Sequence, residues 1–506
     1  MTTTKKRPAA TLRLLIGLTA VMLLVSGCIL QPDSGNDTGT ITLALPDSEV
    51  SASGLIGAGD LSNASHARVW LYRNGSEYSI GEAAADFEEV AAAGGARVVI
   101  EGVPAGDGYS VVVVFGVKDA TDTSGVFAPL SYAQSNRFPV QAERETVVSI
   151  AEVALTGDED SPFTSVQFQQ NLFGENLVSV VRYTSGGGGI AVASPTTVWD
   201  NADVGVGSPS VVTPGSAGRI YSISEDSAGD SDFLINAENG LFGNGGSLVA
   251  GFPTELGNIT DSGSFNDGTN PVYFYQRLGG LGGAAPAGAG NWFDSGTELE
   301  DYVAADQSPV RAQAVLDLGS EDSRAFVSTV LGTFAFDQDF VTDDIEVGDL
   351  LDPDDDTDGL TFFGVAYPGE SAPLRIEALA VVADAPETVV VGTSRGAFAF
   401  PVSALDSLSQ SGLVPSPTEL EGTLDQPVID IEVSTDGDGS QLIAVLTQES
   451  LVVYNSQSLE SDPVLSVPAR AVSVGVPRDI LVSVGSGPND PVVHVAGSEG
   501  FVQLTK

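Results

Sequence analysis

The chain is poor in the residues from which most catalytic and metal centres are built. It holds one cysteine and two histidines in 506 residues. A lone cysteine, Cys28, excludes an internal disulfide. His66 and His494 lie far apart, which counts against histidine-rich zinc sites and Ser-His-Asp chemistry. Bases are scarce too: 20 Lys and Arg against 68 acids, a formal net charge of −48. Four of them (Lys5, Lys6, Arg7, Arg13) precede Cys28 and no acid does, which leaves 16 bases against 68 acids, −52, in the rest. Such a chain lacks the cationic patches that grip phosphates, so nucleic acid is excluded as a partner. Past residue 13 the only lysines are Lys118 and Lys506. Acid-rich, lysine-poor surfaces suit high ionic strength, where self-repulsion is screened. This points to a halophilic or marine source, or else to a generally acidic secreted protein. A membrane-spanning run is also missing from the N-terminal segment: Leu14 to Val25 is twelve residues, short of the roughly 20 needed to cross a bilayer.

What is present favours strands and turns. Hydrophobic residues make up 42% and charged ones 17%, with 59 glycines, a folded and helix-poor composition. The clearest stretch is Thr388 to Pro401, in which Val389-Val-Val391 leads into Gly392-Thr-Ser-Arg-Gly396 and out through Ala397-Phe-Ala-Phe400. That is a hairpin with a tight turn. Related text recurs with turns near 189, 240, 280, 332, 396, 450 and 500. Strands upstream of the better copies fall at 311–316, 375–380, 428–433 and 469–474. A repeat of 40 to 55 residues with four strands has the period of a β-propeller blade. One blade cannot bury both faces, so blades stack around an axis. The expected fold is all-β: a small antiparallel β-sandwich, then a propeller of about seven blades. The strand 164–168 is expected to complete the last sheet beside 502–504.

The first 27 residues read as a signal peptide, basic then apolar, ending at Val25-Ser-Gly-Cys28. That ending resembles the bacterial lipoprotein lipobox. The resemblance implies cleavage before Cys28, lipidation of Cys28 with palmitate-type chains, and anchoring in the membrane. Residues 28–40 read as a polar tether, 41–156 as the sandwich, 157–163 as a linker and 164–506 as the propeller. The stretch Ile100-Glu-Gly-Val-Pro-Ala-Gly-Asp-Gly-Tyr109 resembles transthyretin-like and carboxypeptidase-regulatory-like sandwich modules, which implies that Tyr109 packs back onto the core. The segments Gly396-Ala-Phe-Ala-Phe400 and Ser450-Leu-Val-Val-Tyr454 resemble strands of quinoprotein-like and surface-layer-type propeller repeats. Trp199 and Trp292 are isolated, so the tryptophan docking pattern of quinone-binding propellers is missing.

The sharpest candidate site is Asp352-Pro-Asp-Asp-Asp-Thr-Asp-Gly359. Asp352, Asp354, Asp356 and Asp358 alternate and could converge oxygens on Ca2+, although the acid required by an EF-hand does not follow. A solvated acidic loop is the alternative. Asp436-Gly-Asp-Gly439 is a weaker version of the same pattern. Glycine runs at 186–189 and 279–290 lack the lysine and βαβ setting of phosphate loops. His66 is expected at a solvated or capping position, and His494 in a core or edge position. Arg395 is the one part of the best hairpin expected as a surface contact. No catalytic residue and no cofactor beyond possible Ca2+ is indicated. The functional expectation is a lipid-anchored, non-enzymatic envelope or cell-surface protein, at the outer membrane or surface rather than the inner membrane, binding an unknown protein or glycan. The alternative is a propeller glycan hydrolase or lyase, with acids and an Arg or Tyr converging at the pore. Function is expected where the repeats differ, at 201–230, 279–300 and 337–370.

Overall fold

The computed structural model describes residues 38–44, 64, 66–78, 97–118, 127–158, 160–170, 176–183, 189–200, 209–226, 231–249, 257–266, 271–277, 280–286, 293–294, 310–316, 324–329, 333–337, 360–383, 386–408, 411–434, 441–473, 475–487 and 489–506. The protein is all-β, built from many small sheets. Among the described residues the only helical segments are short 3-10 turns, such as Val402–Ser407 and Ala469–Ala471.

Among the described residues before 157, the chain forms two sheets. The larger runs Ser76–Glu77, His66–Arg73, Gly106–Lys118, Phe127–Gln134, Glu152–Ala154, with Phe138–Val140 also on Gly106–Lys118. The smaller places Thr38–Ala44 between Arg97–Pro104 and Glu145–Ser149. Ile41 and Leu43 of the smaller sheet share a core with Val69, Leu71, Val111 and Val113 of the larger. The antiparallel expectation fails at one pair: Thr38–Ala44 runs parallel to Glu145–Ser149. Most of the larger sheet lies between these two strands in sequence, so no local turn sets their direction. At the Arg73–Ser76 turn, Asn74 and Gly75 have φ of 50° and 72°, the left-handed pair that a two-residue hairpin requires. Tyr109 is fully buried and its hydroxyl donates to the Pro104 carbonyl at 2.8 Å.

Among the described residues after 164, seven sheets follow one another. Their first strands are Ser179–Tyr183, Ile220–Glu225, Ile259–Asn266, Val310–Leu316, Ile376–Val382, Val428–Val433 and Pro477–Val484. Each first strand touches the first strand of the next sheet, and Ser179–Tyr183 also touches Pro477–Val484. Ser165–Gln170 pairs with the C-terminal strand Gly500–Thr505, with Val166 opposite Leu504 and Phe168 opposite Val502. The earliest strand of this region therefore finishes the last sheet, as the sequence suggested.

Two readings of the repeat need correction. Tyr183 to Gly189 connects the first and second strands of its sheet, not the second and third. The turn equivalent to Thr393–Gly396 is Ser194–Thr197, where the Ser194 amide donates to the Thr197 carbonyl. Its Ser-Pro-Thr-Thr text carries no glycine, so the glycine run upstream outcompeted it as a turn signal. The strand expected at 469–474 is a 3-10 turn over Ala469–Ala471, and the first strand of the last sheet lies at Pro477–Val484. Ala469, Ala471 and Val472 are apolar because they pack under the larger N-terminal sheet, not because they belong to a ladder. The regions expected as insertions also contain ladder strands, including Ile220–Glu225, Gly280–Pro286 and Leu360–Gly364.

The central strands are apolar on both faces because each sheet lies between two others. In the hairpin Thr388–Pro401, Val389, Val391, Phe398 and Phe400 join Phe326 and Phe363 of the sheet before. Val390, Ala397 and Ala399 join Ile431, Ile443 and Val452 of the sheet after. This is why such strands read as continuous Val and Ala runs, where a strand with one wet face alternates. Gly392 allows the close approach: a Cβ there would lie 2.5 Å from Val428 Cγ1.

The larger N-terminal sheet docks onto the later ones. Trp70, Tyr72, Val112 and Val114 share a core with Leu451, Val467, Ala469 and Val472. Phe163, inside the stretch read as a linker, is buried in that same core. Polar contacts rim it. Ser110 Oγ donates to Glu449 Oε1 at 2.7 Å, the Glu77 amide donates to Gln448 Oε1 at 3.0 Å, and Arg137 pairs with Asp425 at 3.2 Å. Arg470 pairs with Glu77 and lies over the Trp70 ring at 5.5 Å.

Candidate functional site

Six of the seven first strands share a local irregularity, and it places several polar groups. Each of the six from Ile220–Glu225 onward has a bulge near its start, for example between Val428 and Asp430 and between Pro477 and Asp479. A bulge re-aims the side chain that follows it. The residues in that place are Ser222, Asp261, Ala312, Ala378, Asp430 and Asp479, and Ser179 takes the matching place in the first sheet. They form a belt along the first strands.

Two of the aspartates tie neighbouring sheets together. Asp430 accepts from the Ile431 amide at 2.9 Å and from the Ile480 amide of the next sheet at 3.0 Å. Asp479 accepts from its own Ile480 amide at 2.9 Å and from the Val180 amide at 2.7 Å. Val180 belongs to the first sheet, so the last sheet is bonded to the first. Ser179 continues the pattern, accepting from the Ile223 amide at 3.3 Å and donating to the Ile223 carbonyl at 3.2 Å.

The belt gathers negative charge. Burial pushes the Asp479 carboxyl well above the usual carboxylate range. The Asp430 charge and a hydrogen bond between the two side chains push the same way, against the Val180 amide and Ser179. Glu432, one turn of the pleat beyond Asp430, is also held well above that range, by burial first and then by Asp430, Glu225 and Asp261. Glu225 and Asp261 come from the second and third sheets and Glu432 from the sixth, so acids remote in sequence act on one another at the first strands. Such a cluster favours keeping a proton, because two close carboxylates resist double ionisation. Among the described residues, no group of three or more His, Cys, Asp or Glu is placed to hold one metal ion.

The sites expected from sequence fall elsewhere. Cys28, the stretch carrying Asp352, Asp354, Asp356 and Asp358, and Asp436–Gly439 lie outside the described residues. His494 is in the core, 1% exposed, and His66 opens a strand at a half-buried position. Arg395 is already engaged: it pairs with Glu370 at 2.6 Å, lies 3.4 Å over the Tyr367 ring and reaches Asp425 at 3.7 Å. The reading of the sequence passed over Asp430, Glu432 and Asp479. The available signal was an acid inside an otherwise apolar strand at matching places in two repeats. Misplacing the last repeat's first strand at 469–474 hid that match.

No family model and no curated protein matches the chain. Among solved structures, the chain is similar to the extracellular domain of a one-component system from B. thetaiotaomicron, at 12% identity and a TM-score of 0.43. The match covers 68% of this chain and 40% of that one, so the chain spans less than half of that structure's length. Among the described residues, no helix is long and apolar enough to cross a membrane.

Proposed function

We propose that the protein is a lipid-anchored, non-enzymatic scaffold of the bacterial envelope, at the outer membrane or cell surface. A β-sandwich over 41–156 carries a seven-bladed β-propeller over 164–506, and the propeller binds a protein or glycan. The bond from Asp479 to the Val180 amide and the pairing of Ser165–Gln170 with Gly500–Thr505 support closure of the seven sheets into a ring. The observation that carries the scaffold reading is the shared core between the larger N-terminal sheet and the sheets around Leu451 and Val467. A module built into the propeller core cannot swing, so an anchor at Cys28 would hold the binding faces at a fixed attitude beyond the 28–40 tether.

The test is made in the native host. Metabolic labelling with an alkynyl fatty acid should mark the wild-type chain and not Cys28→Ala, and the variant should leave the membrane fraction. Crosslinking of intact envelopes followed by affinity capture should recover a defined partner. A Cys28→Ala chain that still fractionates with membranes and carries label would sink the anchoring.

A second reading has one observation in its favour. Burial, then Asp430, hold the Glu432 carboxyl well above the usual carboxylate range, the direction that the acid of a glycan hydrolase or lyase needs. Turnover on a glycan panel that is lost in Glu432→Gln would favour the enzyme over the scaffold.

A further inference from the structure

We propose that the seam between the first and last of the seven sheets binds a small monovalent anion of the chloride class, held by Arg182 and His494. The inference stands on the seam alone and does not depend on lipid anchoring or on the propeller's ligand.

His494 lies on Pro491–Gly497, fully buried, with its ring stacked on Phe501 at 5.5 Å and 12° between planes. Neither ring nitrogen has a hydrogen-bond partner. Gln503 is its neighbour in the ladder, and Gln503 Oε1 is buried without a partner as well. Arg182 enters from the first sheet. Its Nη2 donates to Ser483 Oγ at 3.1 Å, and its Nε is buried and unpartnered. Ser483 stands two residues from Leu481, the other ladder neighbour of His494, and so faces the same way. Four orphaned polar atoms thus face a seam whose apolar lining is Val180, Val192, Trp199, Leu481, Ala496 and Phe501, with Asp479 on the Val180 amide at 2.7 Å as its acid. The seams on either side of Thr388–Pro401 hold apolar clusters. Buried donors and acceptors are rarely left bare, so this seam is built around an occupant.

The donors define its chemistry. Arg182 is always charged, and among the described residues no carboxylate pairs with it, in a chain with 68 acids. His494 is neutral and offers one N–H. Gln503 can turn its amide to add another, because the two ends of an amide have nearly the same shape. A guanidinium Nε–H, an imidazole N–H and an amide N–H around one point suit an anion and repel a cation. Water would meet the hydrogen bonds but bring no charge opposite the half-buried Arg182 guanidinium. The width between packed sheets restricts the anion to a small one.

Chloride is the probe. Unfolding midpoints are measured in sodium chloride and in sodium gluconate at equal ionic strength, which separates binding from screening of the negative surface. Once the site is filling, each ten-fold rise in chloride should raise the folded-to-unfolded ratio by up to ten-fold over gluconate. Arg182→Gln should abolish that difference. Chlorine-35 line broadening on the folded wild type, competed by bromide, reads the site even if the variant does not fold. Equal midpoints in the two salts, or no competable broadening, would overturn the proposal and leave water as the occupant.

Discussion

Acid should weaken this protein through His494 in a window where most carboxylates are still silent. The imidazole is fully buried, and burial, then the Arg182 charge, push it down to about 3 from an ordinary 6.5. In the unfolded chain it titrates normally, so between these values the unfolded state binds the extra proton. Stability is therefore full above about pH 7 and is lost as pH falls through 6.5 toward 3. Linkage gives about 2 kcal/mol lost by pH 5, and on the order of 5 kcal/mol by pH 3. Asp479 and Glu432 act in the opposite sense, because their raised folded values favour the folded state as pH falls. The measurement is therefore a difference. Urea unfolding followed by tryptophan fluorescence, at pH 7.5, 6 and 5 in gluconate, compares wild type with His494→Leu. The wild type should lose about 2 kcal/mol more than the variant between pH 7.5 and 5. Parallel pH profiles would refute the claim that the imidazole is kept neutral by the fold. Chloride should shrink the gap, since an anion beside the ring favours its protonated form.

Other outcomes follow from single contacts. Asp479→Ala leaves the Val180 amide without its acceptor, while the Ile480 amide keeps Asp430, and should cost about 1–3 kcal/mol in urea unfolding, whereas Asp479→Asn, which keeps one oxygen, should cost less than half of that. An equal cost for both would mean that charge, not the hydrogen bonds, matters there. Arg470→Ala strands Glu77 at the docking face and should cost about 3 kcal/mol, with faster proteolysis in 157–163; an unchanged cleavage rate would argue that the apolar core alone holds the sheets together. Gly392→Val drives its side chain into Val428 and should destabilise by about 1–3 kcal/mol, whereas a neutral result on thermal melting would show that the seam is looser than the 2.5 Å approach indicates.

How much of this could be read from the chain depends on how local each feature is. The hairpins ending at Gly396, Ser450 and Gly500 were legible because strand, turn and strand lie within about fourteen residues. The pairing of 164–168 with the C-terminus was legible because a repeat array needs its last sheet completed. The first hairpin was misread because four glycines mark a flexible turn without saying which pair of strands it joins. Residues 469–474 were misread because Ala469, Ala471 and Val472 are apolar for a different reason, the docking of the larger N-terminal sheet. The candidate belt was hardly legible. An aspartate in an apolar strand does not reveal that a bulge turns it toward the neighbouring sheet.

The sequence by itself determined that the chain is all-β, acidic and repeated, because composition, turn chemistry and strand patterning act over a few residues. The partner of each sheet was decided only by the tertiary structure. Thr388–Pro401 carries apolar side chains on both faces, and nothing local says which face meets Phe363 and which meets Ile431. Asp479 bonds the amide of Val180, 299 residues earlier. A contact over that distance exists only when every sheet between the two has taken its place, so its information lies in the summed geometry of the fold and in no segment of it.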